Sequence, residues 1–244
     1  MITLSYKNDP ACVLDLYEPE GIAKPPVYVY FHGGGICGGD KAEGTALAEY
    51  LIAKGIAVAS VNYRMYPAVR FPAFLEDAAA AVAFVQSSGK FSYITVGGSS
   101  AGAYISMMLY FNKTYLTGAG MDPTVVRGYF FNSGQPTSHF YYLSFEKQMD
   151  SRRVMIDEAA PLYYLDKPFA EPLSEPELLI ACAENDMINR PEQNAMMLTA
   201  LKQFGFSKDK LTYKTYVGES HCSYLKKEEY FEDTLALIRR CALR

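Results

Sequence analysis

Two serines lie side by side between glycines in Gly98-Ser99-Ser100-Ala101-Gly102, where an apolar, β-rich run gives way to a helix-like one. Centred on Ser100 the stretch reads Gly-x-Ser-x-Gly; centred on Ser99 the flanking positions become Gly97 and Ala101, a looser match. At a sharp strand-to-helix turn a serine is held in a strained conformation that exposes its hydroxyl, and small residues two positions to either side let strand and helix approach closely. Ser100 is therefore the better candidate nucleophile, and the plainer alternative is a serine that only caps the following helix. A second glycine run, His32-Gly33-Gly34-Gly35, follows another apolar segment. That is a position from which a glycine loop can aim backbone N–H groups at a developing oxyanion, the alternative being a flexible turn.

A serine nucleophile needs a general base, and the chain has three histidines. His32 belongs to the glycine run. His139 precedes the aromatic stretch Phe140-Tyr141-Tyr142 and reads as a partly exposed residue of an insertion, with substrate contact as the alternative. His221 lies in Gly218-Glu219-Ser220-His221, just beyond the last predicted strand, where a base can reach the carboxyl end of a parallel sheet. His221 is the stronger candidate. The residue that holds the imidazole in the right tautomer must be a carboxylate in a nearby loop. Asp186 fits best, following the predicted strand 177–183 in Ala183-Glu184-Asn185-Asp186 and giving the order Ser100, Asp186, His221. Glu184 competes, but reads better as a solvated carboxylate or a hydrogen-bond partner within the turn.

These residues need a scaffold, and the hydrophobic pattern supplies one. Short β-branched or aromatic runs at 27–32, 56–63, 93–98, 126–132, 177–183 and 211–217 fit buried strands, and runs at 2–6 and 12–17 fit an opening hairpin. Helices fit 41–54, 73–88, 101–111, 191–204 and 226–241, the fourth opening on Pro191 and stopping before Gly205. The alternation predicts an α/β fold with a mostly parallel sheet covered on both faces, in one domain. Residues 135–176 break the alternation, being rich in Pro, Tyr and Phe, and read as a small lid-like insertion over the end of the sheet.

With 244 residues, half of them apolar, the chain can build a substantial core without staples. A net charge of −4 without a basic block argues against a nucleic-acid partner. Five scattered cysteines, none in a Cys-x-x-Cys pair, signal neither zinc nor a disulfide framework and read as reduced thiols; those beside the candidate site, Cys37 and Cys222, read as small buried or half-buried side chains. No apolar run is long enough to span a bilayer, and the N-terminal residues lack a signal-peptide pattern, so a cytoplasmic protein without membrane partners is expected.

Taken together, the motifs resemble the α/β-hydrolase superfamily, in particular the esterase and lipase group related to hormone-sensitive lipase and small acetyl esterases. Besides the two glycine motifs, the likeness includes Leu16-Tyr17-Glu18-Pro19, Gly38-Gly39-Asp40, Asn62-Tyr63-Arg64 with Pro67, Phe71-Pro72-Ala73 leading to Asp77, and Glu184-Asn185-Asp186. It implies an eight-stranded α/β-hydrolase sheet with a short insertion after strand 6, and an oxyanion hole from the backbone amides of Gly34, Gly35 and Ala101. Arg64 and Asp77 would be structural. Ile36 departs from the aromatic residue often found after the glycines, and the glycine motif arrives by residue 32, too early for the helical N-terminal cap of larger members.

The resemblance therefore implies a serine carboxylesterase with an open, shallow acyl site, acting on short-chain, most simply acetyl, esters of small molecules or sugars without a metal or organic cofactor. Two other readings remain: hydrolysis of an activated amide such as an N-formyl group, and a non-catalytic ligand-binding protein on the same fold. The aromatic set Phe140, Tyr141, Tyr142, Phe145, Tyr163 and Tyr164 reads first as packing of the insertion onto the sheet, and second as a lining for the substrate entrance.

Overall fold

The computed structural model describes residues 1–165 and 175–243. Its strands are β1 (Ile2–Ser5), β2 (Val13–Tyr17), β3 (Val27–Phe31), β4 (Ala57–Val61), β5 (Ile94–Ser99), β6 (Val126–Asn132), β7 (Glu177–Asn185) and β8 (Leu211–Ser220). They form one sheet in the order β1-β2-β4-β3-β5-β6-β7-β8. The pairs β1/β2 and β2/β4 are antiparallel and the remaining pairs parallel. This is the mostly parallel eight-stranded sheet that the alternation predicts.

Both faces of the central strands are buried, and side-chain alternation sorts them into two cores. Val27, Val29 and Phe31 of β3 enter one cluster with Tyr129 and Phe131 of β6 and Leu178 and Ile180 of β7. Tyr28, Tyr30, Phe130, Leu179 and Ala181 point the other way into the second. The first core is closed by α2 (Ala73–Ser87), α3 (Ala101–Phe111), α4 (Thr114–Gly118) and α6 (Arg190–Gln203); the second is closed by α1 (Thr45–Ile52) and α7 (Glu228–Cys241). Among the described residues, no helix is long and apolar enough to cross a membrane.

The sequence-based element bounds differ from the structure mainly at the ends. Residues 41–44 form a tight 3-10 turn capped by Asp40 before α1 begins, and α4 was not anticipated. The segment expected as an insertion, 135–176, contains α5 (Phe140–Phe145) and a 3-10 turn at Pro161–Tyr164; its residues 166–174 lie outside the described residues. Tyr142 is buried, in a small cluster with Leu143 and Ala159, whereas Phe145 and Tyr163 are 45% and 50% exposed, so the aromatic set divides between packing and solvent.

Because β3, β5, β7 and β8 run parallel, their carboxyl ends emerge on one edge of the sheet. Each is followed directly by candidate chemistry: the glycine run after β3, Ser100 after β5, Asp186 after β7 and His221 after β8. The tightest packing lies beneath this edge. A Cβ on Gly102 would sit 1.9 Å from the Phe31 carbonyl oxygen, and one on Gly98 would sit 2.4 Å from the same atom. Substituting Gly102→Ala should therefore cost roughly 3 kcal/mol or more and lower Tm by about 6–12 °C. Gly118→Ala, whose added methyl meets nothing within 4 Å, should be neutral or slightly stabilising. Thermal melts of the two variants check the contrast, and equal effects would show that the close approach at Gly102 is not what limits the packing.

Candidate active site

Ser100 occupies the junction of β5 and α3 with φ 55° and ψ −112°. Its amide donates to the Asn132 carbonyl at 2.8 Å, which pins this sparsely populated conformation. The side chain does not cap α3. Instead Ser100 Oγ lies 2.9 Å from His221 Nε2, and His221 Nδ1 lies 2.5 Å from Asp186 Oδ1. Ser99 faces away: it is buried, and its Oγ accepts from Asn132 Nδ2 at 3.0 Å. The geometry thus separates the adjacent serines, one turned toward a base and the other locked into the interior.

Asp186 is held from several sides. Oδ1 accepts from the Met187 amide at 2.7 Å as well as facing His221, and Oδ2 accepts from Ser133 Oγ at 2.6 Å and the Ala183 amide at 3.2 Å. Burial alone pushes the carboxyl upward, but the hydrogen bonds from His221 and Ser133, with the amides, outweigh it and hold the group well below the usual carboxylate range. It is an ionised acceptor at neutral pH, and its side chain is fully buried while that of His221 remains 25% exposed. An imidazole in this position has one nitrogen fixed by a carboxylate and the other free to exchange a proton with a hydroxyl.

The glycine run folds back on itself. The Gly34 carbonyl accepts from the amides of Cys37 and Gly38, both at 3.1 Å, and Gly34 and Gly35 take φ values of 92° and 68°. A Cβ at Gly34 would sit 2.1 Å from the Gly38 carbonyl oxygen, so the turn admits only glycine there. The amides of Gly34 and Gly35 donate to no backbone acceptor among the described residues. Ala101, buried, opens α3 directly after Ser100. His32 supports this loop from below: it is buried, stacked on Tyr63 at 4.6 Å between ring centroids, with Nδ1 2.8 Å from the Gly33 carbonyl oxygen.

The remaining candidates take other places. Glu184 accepts from the Gly218 amide at 2.7 Å, tying the ends of β7 and β8 together, and is not the carboxylate at His221. His139 was expected to be partly exposed and is instead 1% exposed; its ring packs on Tyr104 and Phe140, and its Nδ1 accepts the Tyr141 amide at 3.3 Å to cap α5. Burial and the nearby Arg190 push its pKa down to about 3, so it stays neutral. Arg64 makes two hydrogen bonds to Asp77, both at 2.7 Å, fastening the loop after β4 to α2. Cys37 and Cys222 are both half-buried free thiols.

Sequence reasoning missed Asn132, Ser133, Tyr224 and Arg190. Tyr224 donates to Asn132 Oδ1 at 2.7 Å and its hydroxyl oxygen lies 2.8 Å from Ser133 Oγ, so β5, β6, the acid loop and the base loop share one buried polar network. Arg190 donates to the Ser133 carbonyl at 2.8 Å. The available signal was Asn132-Ser133-Gly134, a polar pair ending an apolar strand at the edge where the other motifs lie.

A family model described as alpha/beta hydrolase fold matches residues 28–225, and the chain belongs to that family. It is similar to Esterase LipC of Mycobacterium tuberculosis, 32% identical over 111 residues that make up 42% of this chain and 28% of that protein. It is also similar to Carboxylesterase NlhH of the same organism, 40% identical over 91 residues, 34% of this chain and 28% of that protein. The matched stretches thus span less than a third of these relatives. Among solved structures, the apo form of Thermogutta terrifontis esterase 2 superposes with a TM-score of 0.77 at 18% identity, over 98% of this chain and 94% of that one. A truncated carbohydrate esterase from gut microbiota gives 0.76 at 17% identity, over 100% and 97%. These likenesses establish the shared fold.

Ser133 carries a test of the network. Asp186 has a depressed folded-state pKa, so the stabilisation it contributes is full above the unfolded carboxylate value of about 3.9 and is lost as pH falls through the folded value. Ser133→Ala removes one hydrogen bond to this charge and should destabilise the protein by about 1.5 kcal/mol at pH 7. The gap from wild type should narrow on acidification, as Asp186 protonates. Urea denaturation across pH measures it, and a gap that does not change with pH would show that Ser133 acts by packing alone.

Proposed function

We propose that the protein is a serine carboxylesterase that hydrolyses short-chain acyl esters, most simply acetyl esters, of small molecules or sugars. The observation that carries this reading is the Ser100 Oγ–His221 Nε2 contact of 2.9 Å with Asp186 on the other ring nitrogen. Family membership is consistent with it, and curated relatives bear esterase names over their matched portions.

In this mechanism Ser100 Oγ attacks the ester carbonyl while His221 Nε2 takes its proton. The tetrahedral oxyanion accepts hydrogen bonds from the Gly34, Gly35 and Ala101 amides, whose directions are fixed before substrate arrives by the glycine turn and by the start of α3. Asp186, ionised and immobile, holds the imidazole in the tautomer that presents a bare Nε2 and stabilises the imidazolium once formed. His221 then passes the proton to the leaving alcohol. A water, deprotonated by the same nitrogen, releases the acid from the acyl-enzyme. Within one domain, the described part of the 135–176 segment, α5 above all, serves as a small lid-like insertion beside the site.

The preference for short acyl groups follows from what crowds the glycine loop. A Cβ on Gly35 would sit 2.5 Å from Tyr141 Cε2 and 3.4 Å from Phe140 Cζ, so two rings of α5 lie against the loop. A methylene gains about 0.8 kcal/mol only where it leaves water, and space already filled by rings offers later carbons no such burial.

Two measurements follow. A fluorophosphonate probe should label the wild-type protein and Ser99→Ala but not Ser100→Ala; label retained in Ser100→Ala would sink the nucleophile assignment. Across p-nitrophenyl acetate, butyrate, octanoate and palmitate, kcat/KM should peak at acetate or butyrate. A maximum at octanoate or beyond would show that a deep acyl tunnel exists and would end the short-chain reading.

A further inference from the structure

Beside the acid loop lies a cavity of about 470 Å³ whose walls come from two places: the start of α6 with the residues before it, and the segment after β6. Gln135, Phe140, Arg152, Arg153, Arg190 and Gln193 line it, and none of its described lining residues is acidic. It adjoins the candidate triad. Met187, another lining residue, donates its amide to Asp186, and Phe140 is one of the two rings that lie against Gly35.

The charges in this cavity are poorly compensated. Arg152, 88% exposed, pairs with Asp150. Arg153 and Arg190 have no carboxylate within ion-pair distance among the described residues. Arg190 is the more telling of the two. It is only 4% exposed, it opens a helix of 14 residues, and a cation at a helix N-terminus opposes the helix dipole. Its guanidinium is met by neutral groups, the Ser133 carbonyl at 2.8 Å and the Gln135 Oε1 at 3.5 Å. The nearest buried anion, Asp186, is engaged by His221 and Ser133. A buried cation without a dedicated counter-ion is costly to keep, and here it faces a space shared with a second guanidinium outside any ion pair and with the side-chain amide of Gln193.

We propose that this cavity holds a carboxylate carried by the ester substrate, so that the enzyme acts preferentially on anionic esters. The inference rests on the esterase reading for its position beside the reacting carbonyl. Guanidinium groups match a carboxylate in geometry as well as charge, with the Gln193 side-chain amide able to add a donor for its remaining acceptor capacity. The same arrangement disfavours a long alkyl chain, which would desolvate arginines without replacing their hydrogen bonds.

The carboxylate can lie on either side of the scissile bond, and paired substrates separate the two cases. On the acyl side, 4-nitrophenyl hydrogen adipate is compared with 4-nitrophenyl hexanoate; on the alcohol side, 4-acetoxybenzoate is compared with 4-acetoxybenzamide. In one of these pairs the anionic ester should have the higher kcat/KM by about tenfold, and Arg152→Gln/Arg153→Gln should erase most of that ratio. Lys24→Gln, a surface charge change far from the carboxyl edge of the sheet, should leave the ratio as it is. Calorimetry with adipate and with benzoate reads the cavity without turnover, and binding should weaken by a similar factor in the double arginine variant. Neutral esters matching or exceeding their anionic partners in both pairs would overturn the proposal, as would a preference that survives loss of both arginines. If no ester is hydrolysed while carboxylate binding still depends on the arginines, the esterase reading fails and the carboxylate site stands. Absence of both overturns both.

Discussion

Between the start of α3 and the end of β3 there is no room for a side chain. Gly98 and Gly102 both face the Phe31 carbonyl oxygen at distances a Cβ could not occupy, and the backbone between them has to turn from strand to helix within that constraint. The turn puts Ser100 at positive φ, a conformation that costs of order 1–3 kcal/mol and persists because its surroundings over-determine it. They do so through the Asn132 carbonyl, which takes the Ser100 amide, and through the helix itself, whose Tyr104 amide returns to the Ser100 carbonyl at 3.0 Å. The hydroxyl is thereby lifted off the sheet edge toward His221, while the neighbouring Ser99 side chain stays within the sheet's own hydrogen bonding.

The second constraint is electrostatic. A buried carboxylate is tolerable only when its oxygens are met by donors, and Asp186 is met by two amides, a hydroxyl and an imidazole. Ser133, steadied by Tyr224 and next to Asn132, makes this possible from the end of β6, a strand that lies between the strand before Ser100 and the strand before Asp186 in the sheet. Asn132 therefore serves both sides at once, with its carbonyl on the Ser100 amide and its side chain between Ser99 and Tyr224. Displacing one member would disturb Ser100 and Asp186 together, which is why the network, rather than any single hydrogen bond, fixes the relative positions of residues far apart in the chain.

This division also explains what could be read from the sequence. Gly34, Gly98, Ser100 and Gly102 were legible because each is demanded by a local backbone shape, and a local shape leaves a local pattern. The strands were legible because their alternating residues serve two cores; β3 shows this most plainly, with valines and phenylalanine on one face and tyrosines on the other. Asp186 and His221 followed from chain order and from their places after predicted strands. Ser133, Tyr224 and Arg190 were not legible, because their roles depend on which strands become neighbours, and that is fixed by crossovers rather than by nearby residues. His139 was misjudged for a related reason: a histidine in an irregular segment, even one beside aromatic residues, gives no local sign that Tyr104 of α3 will pack on it from the other side.

Irregular as it is, that segment joins the specificity question to the scaffold. α5 presses two rings on the glycine loop at residues 33–35, while the residues on either side of it help wall the arginine-lined cavity. The other wall, the start of α6, continues directly from the acid loop. Arg190 therefore has two faces: one guanidinium nitrogen bonds the Ser133 carbonyl, behind the hydroxyl that steadies Asp186, and the side chain also borders the cavity. An anion arriving there would neutralise a charge that is met directly by neutral groups and has no carboxylate in ion-pair contact. It would do so without direct contact with Asp186, so the donors gathered on that carboxylate can stay in place while the proposed carboxylate site distinguishes anionic from neutral esters.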